Sequence, residues 1–172
     1  MNLQRNRRLK SFSPFILERG YGYLFSQKKI SITHLFPAGA GPNMTPYEAI
    51  GGENGVRSLV SRFYQLMDEL PEAAACRAIH PAELGESAQK LFEYLSGWLG
   101  GPPLFVEKRG PPMLRRRHLH VAIAAPEIDG WLLCFTRAWQ ETIGDDSEVS
   151  KIVLPQIVSL AQHMRNKDES AA

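Results

Sequence analysis

"MLRRRHLHVAI", residues 113–123, sets three arginines directly against His118, with His120 two places on. How this stretch is read decides the rest. It can be a basic surface patch, a two-histidine metal site, or the anchor of a buried cofactor. Each choice puts the chain in a different functional class. A run of charge on its own reads as a solvated face. Two histidines at this spacing lie about 200° apart on a helix and point the same way only on an extended strand. No Cys or carboxylate follows at zinc-type spacing. A single imidazole beside cations suits a haem, which needs a flat apolar slot, one strong axial ligand and cations at the rim.

Working outward, apolar residues repeat at helical period. Val56, Leu59, Val60, Phe63 and Met67 form one stripe, and Leu84, Ala88, Leu91, Leu95 and Trp98 a second. A third runs Ile128, Trp131, Leu132, Phe135, Trp139, and a last one Ile152, Ile157, Leu160, Ala161, Met164. Pro71 ends the first helix or opens a shorter one through "EAAACRAI", and Gly100-Gly101-Pro102 stops the second. Pro155 belongs in a first turn or at a kink of the last helix. Strand alternation and hairpin signals are missing, so the fold class is all-α. Residues 102–124 carry Pro102, Pro103, Gly110, Pro111 and Pro112 and are expected to be largely irregular. About 20 irregular residues inside a compact domain usually mark function, and these hold His118.

Hydrophobic content of 44% with 22% charged residues can supply a real core for one domain of this 172-residue chain. The net charge of +2 conceals an asymmetry. Residues 1–43 carry seven basic residues (Arg5, Arg7, Arg8, Lys10, Arg19, Lys28, Lys29) and one acid, Glu18, a net of +6 against −4 for the rest. A mildly acidic body with a basic tail is not a whole-domain nucleic-acid binder. The Pro/Gly-rich "PAGAGPN" closes the basic stretch just before Met44. The organisation expected is an irregular, disordered extension over 1–43, a domain over 44–168 and a tail over 169–172. The extension reads as an upstream start choice, with Met44 the natural start, or as a targeting peptide. No apolar run reaches the ~20 residues that span a bilayer. Cys76 and Cys134 have no framework spacing and suit a reducing cytoplasm as buried thiols.

Six stretches read together narrow the choice: "YEAIGG" (47–52), "VSRFY" (60–64), "LGGPPLF" (99–105), "RGPPMLRRRHLHVAI" (109–123), "WLLCF" (131–135) and "LAQHMRN" (160–166). In this order and spacing they resemble the group II truncated haemoglobins, over roughly residues 47–166. The resemblance implies a globin-like two-over-two helical sandwich around haem b. It implies that His118 is the proximal iron ligand, and that at least one of Arg115 and Arg117 reaches a haem propionate, a pairing that guanidinium makes well. The family's distal phenol falls on Tyr64 and the group II tryptophan on Trp131, whose indole only donates. A phenol bonded to a partly charged diatomic ligand contributes on the order of 1.5–3 kcal/mol, enough to slow escape by about one to two decades. Ser87 and Leu91 take the distal positions on the following helix. Ser87 is small and leaves a route past the haem edge; Leu91 is apolar where some relatives carry a polar residue.

His80 is the main departure, since Phe or Tyr is usual there. Its ring would donate to a bound ligand, hydrogen-bond Tyr64, or ligate iron when the site is empty. His120, commonly proline in relatives, is expected at the haem edge rather than on the metal. The resemblance thus implies a cytoplasmic protein, monomer or homodimer, that binds dioxygen, nitric oxide and similar ligands reversibly, for oxygen transport or nitric oxide detoxification. Nitric oxide dioxygenation or peroxidase-type turnover would draw on an unidentified electron donor. Two other classes stay open at the level of sequence: a haem-free helical module whose Arg115–Arg117 cluster binds an acidic partner, and a metal-dependent enzyme using His118 and His120.

Overall fold

The computed structural model describes residues 44–145 and 147–168. The expected extension over 1–43 and tail over 169–172 lie outside the described residues. Within them the chain forms helices α1 (Pro46–Ala49), α2 (Gly52–Glu69), a 3-10 turn (Pro71–Ala73), α3 (Ala74–Ala78), α4 (Gly85–Trp98), α5 (Leu104–Arg109), α6 (Leu114–His118), α7 (Ala125–Thr142) and α8 (Glu148–His163). No strand occurs among the described residues, so the all-α expectation holds. No helix among them is long and apolar enough to cross a membrane.

Local chemistry sets the starts. Thr45 Oγ1 accepts the Glu48 N–H at 3.2 Å while the Glu48 carboxylate accepts the Thr45 N–H at 2.8 Å. This reciprocal pair satisfies two otherwise orphaned donors. Gly55 then lets α2 pass against α1, because a Cβ there would lie 1.7 Å from the Ile50 carbonyl oxygen.

The core lies where α2 crosses α7 and α4. Every residue of the first stripe is buried, each such side chain contributing about 1.5–3 kcal/mol. Trp131 and Phe135 stack at 5.1 Å, with Phe63 tilted against both, and Trp139 follows. The buried Trp139 indole donates to Ser150 Oγ at 2.8 Å, which ties α7 to α8.

Two expectations are corrected and a third is narrowed. Residues 102–124 are irregular over only about half of their length: α5 and α6 form there, each beginning just after a proline pair. Proline fits a first turn, so these prolines punctuate helices instead of forbidding them. The inward face of α8 is Val149, Val153, Ile157 and Ala161, while Ile152, Leu160 and Met164 are half-buried. Pro155 sits in the interior of α8, which excludes the first turn, one of its two expected places.

Candidate functional site

Most of the second stripe is half-buried, and Leu91 and Leu95 of it look onto open space. A cavity of about 690 Å³ opens between α2, α4, α6, α7 and α8, within the range of cofactor pockets. Leu91, Leu95, Ile123, Ile128 and Ile157 supply apolar wall. The polar lining includes Tyr64, His80, Ser87, His118, His120 and Trp131. The structure therefore gathers residues scattered over 67 positions of sequence around one space.

His118 ends α6. Its Nδ1 donates to the Leu114 carbonyl at 2.7 Å, one helical turn back. A carbonyl only accepts, so Nδ1 carries a proton, and in the neutral ring Nε2 keeps its lone pair. Nε2 makes no hydrogen bond among the described residues. His80, just past α3, repeats the device: Nδ1 donates to the Cys76 carbonyl at 2.8 Å. Burial holds the His80 pKa below its ordinary value, with Arg77 and His118 adding to the effect against the Cys76 hydrogen bond. The ring is neutral near pH 7 and its Nε2 is an acceptor.

Tyr64 meets His80 edge-on at 6.1 Å between ring centres. Burial raises the Tyr64 phenol far above its usual range, the nearby Cys76 thiol adds to this, and the Ser87 hydroxyl works against it. The phenol stays protonated and can donate. The Trp131 indole N–H has no hydrogen-bond partner among the described residues. Burial likewise pushes the Cys76 thiol up to about 12 and Cys134 up to about 11. Both thiols are buried and protonated, which makes them structural, not nucleophilic.

The arginines part company. Arg115 does not line the cavity: its Nη1 donates to the carbonyls of His163 and Arg165, each at 2.6 Å. Arg117 does line it, yet its guanidinium donates to the carbonyls of Pro112, Arg109 and Pro111 and lies over the Phe105 ring. Only Arg116 of the three has no such contact among the described residues. Arg115 and Arg117 thus brace backbone, which leaves Arg116 as the one of the three not so engaged among the described residues. Two lining cations were missed from sequence, Lys90 and Arg109. Lys90 reads as half of a solvent-facing pair with Glu86, a bond it does make at 2.8 Å. Arg109 sits on a helix that the prolines hid.

These residues fit a haem. Among the described residues no group of three or more His, Cys, Asp or Glu could hold a metal ion. One free imidazole nitrogen facing an apolar slot suits a metal that brings its own equatorial ligands. His118 and His120 both reach the cavity but gain no third protein ligand there, which removes support from a metal-dependent enzyme.

Comparison with known proteins agrees. A family model described as bacterial-like globin matches residues 45–166. A group 2 truncated haemoglobin of Bacillus subtilis strain 168 is 38% identical over 125 residues, covering 73% of this chain and 91% of that protein. The solved group II 2-on-2 haemoglobin of the plant pathogen Agrobacterium tumefaciens is 54% identical, with a TM-score of 0.72 over 76% of this chain and 99% of its own. The cold-adapted truncated haemoglobin of the Antarctic bacterium Pseudoalteromonas haloplanktis TAC125 is 39% identical, with a TM-score of 0.69 over 72% of this chain and 99% of its own. The chain belongs to the bacterial-like globin family and, within it, to the group II truncated haemoglobins.

Proposed function

We propose that this chain holds haem b through His118 Nε2 and binds dioxygen and other diatomic ligands reversibly on the side of the cavity lined by Tyr64, His80 and Trp131. Membership of the family carries a haem cofactor and small gaseous ligands; the residue roles, the haem type and the ligand are the further step. The observation that carries it is the His118 tautomer, fixed by the Leu114 carbonyl with Nε2 left over beside an apolar cavity. The haem supplies an iron centre that takes a diatomic ligand and can change oxidation state.

The chain's own residues set what happens around that centre. The Tyr64 phenol and the Trp131 indole are two donors that face the cavity, with Ser87 and the apolar Leu91 beside them on α4. His80, with its proton committed to the Cys76 carbonyl, presents an acceptor nitrogen rather than a donor and packs edge-on against the Tyr64 ring. Donation to the ligand by His80 is disfavoured by the same bond. Lys90, Arg109 and Arg117 are the cavity-lining cations available to propionates. Two converging donors favour retention over delivery. Retention suits chemistry on the held ligand, nitric oxide dioxygenation or peroxide reduction, with electrons from a separate donor.

The test is spectroscopic. Protein expressed with a haem precursor should show a strong Soret band that His118→Ala abolishes. The dioxygen off-rate should rise about ten- to a hundredfold in Tyr64→Phe, as expected for losing a bond to a charged acceptor. A colourless wild-type protein, or unchanged off-rates in both Tyr64→Phe and Trp131→Phe, overturns the reading.

A further inference from the structure

The helix that carries His118 has no buried residue of its own. Five residues of α6 cannot hold an imidazole in place by packing alone, so its position must be set from outside. The structure shows what does this. The segment just after α8 lies along residues 115–123 and is bonded to them on both sides of His118. Asn166 Nδ2 donates to the carbonyls of His118 at 3.1 Å and Val121 at 3.0 Å. Its Oδ1 accepts the Ile123 N–H at 3.0 Å. The backbone N–H groups of Asn166 and Lys167 both donate to the Ile123 carbonyl, at 2.9 and 3.1 Å. From the other side Arg115 Nη1 donates to the His163 and Arg165 carbonyls.

We propose that Asn166, seconded by Arg115, is a positioning residue for the proximal histidine. The inference rests on the reading of His118 as the iron ligand and adds what fixes its reach. A primary amide is the one side chain of this length that offers two donors and an acceptor in one plane. Here both donors and the acceptor are engaged on three backbone groups of the His118–Ile123 turn. The direction of the residue 118 carbonyl fixes the peptide plane, and with it the Cα–Cβ vector along which the ring enters the cavity. Nδ1 is bound to Leu114 on one side of His118 and the main-chain carbonyl to Asn166 on the other, so the ring has little freedom to tilt or withdraw. The proximal geometry is therefore written partly in the last turn of α8 and its exit, more than 40 residues away in sequence.

Haem-loaded full-length protein provides the test. Two quantities are read: the rate of haem transfer to excess apomyoglobin, and the iron–histidine stretching band of the ferrous, ligand-free form by resonance Raman. Asn166→Asp keeps an acceptor for Ile123 and loses both donors; Asn166→Ala loses all three bonds. Each should release haem about tenfold faster or more, the scale of one to two lost hydrogen bonds, and should shift or broaden the band. Ser150→Ala is the control for stability alone, since it removes a buried bond to Trp139 outside the cavity lining. It should lower the melting temperature and leave the band in place. Should Asn166→Ala fail to fold, Arg115→Gln, which opens only the second side, should shift the band less and in the same sense. A wild-type band in Asn166→Asp and Arg115→Gln overturns the proposal, as does an equal shift in Ser150→Ala. The parent reading fails separately: His118→Ala would then keep the wild-type band, whereas loss of the band there with unchanged Asn166 variants sinks the clasp alone.

Discussion

Two histidines line one cavity from the ends of different helices, and their local geometry is nearly the same. His80 follows the five-residue α3 and His118 ends the five-residue α6, each with Nδ1 on the carbonyl four residues back. Arginines brace both turns: Arg77 donates to the Pro81 and Ala82 carbonyls, as Arg117 does to Pro112. The difference lies underneath. Ala73 and Cys76 are buried against α7 at Gly130, so the His80 wall is fixed by packing. The His118 wall buries nothing of α6 and is fixed by hydrogen bonds to carbonyls. Packing resists displacement in all directions because the interior is close-packed, whereas hydrogen bonds hold chosen atoms and yield to changes in charge. The packed wall fixes His80 from beneath, and the bonded wall leaves the placing of His118 to residues distant in sequence.

The comparison can be broken first at Gly130. A Cβ there would meet Cys76 Cβ at 3.0 Å and Ala73 Cα at 3.2 Å. Gly130→Val should cost about 2–3 kcal/mol by overpacking in denaturant titration of the haem-loaded protein. Unchanged stability would mean that the His80 wall is not held by contact.

The next effect is expected on the bonded side, at Glu93. This buried carboxylate accepts from Arg109 at 2.6 Å, Gln89 at 2.9 Å and Lys108 at 3.1 Å. The Arg109 carbonyl in turn accepts from Arg117, so the chain of contacts reaches α6. The Arg109 hydrogen bond, helped by those of Gln89 and Lys108 and opposed by burial, holds Glu93 down at about 2 against an ordinary value of 4.5. A depressed carboxylate stabilises the fold fully above its unfolded pKa and loses that effect as pH falls toward the folded one. Stability should therefore drop between about pH 4.5 and pH 2, and Glu93→Gln should flatten that stretch of the profile while being less stable at pH 7. Equal slopes in the two proteins, measured by urea unfolding at stepped pH, would remove Glu93 from the account.

The smallest effect is expected at Met113, the residue before α6, which sits at φ 41° and ψ 47°. The left-handed region costs a side chain roughly 1–2 kcal/mol. Glycine relieves this and adds freedom to the unfolded chain. Met113→Gly should stabilise by less than about 1 kcal/mol, visible as a small rise in melting temperature. Destabilisation would show that the methionine side chain contributes packing that its exposure does not suggest.

Much of this was legible beforehand, for identifiable reasons. The stripe at Val56–Met67 buries throughout, and that at Ile128–Trp139 buries at Ile128, Phe135 and Trp139, because long helices express their pattern over several turns. The stretch 102–124 was misread because short helices between proline pairs have too few turns to show a period. The roles of Arg115 and Asn166 were invisible for another reason: their partners are backbone carbonyls, and every residue presents one, so no residue type marks the partner.

The order of residues by itself determined the helical class, the main apolar faces and, through six stretches held in register, the family. The class and the faces follow from periodicity, which is a property of the chain; the family follows from the resemblance that the six stretches carry. Only the tertiary structure decided which arginines border the cavity, which way each imidazole carries its proton, and what grips the loop after His118. These depend on where carbonyl oxygens point once helices far apart in sequence come to lie side by side.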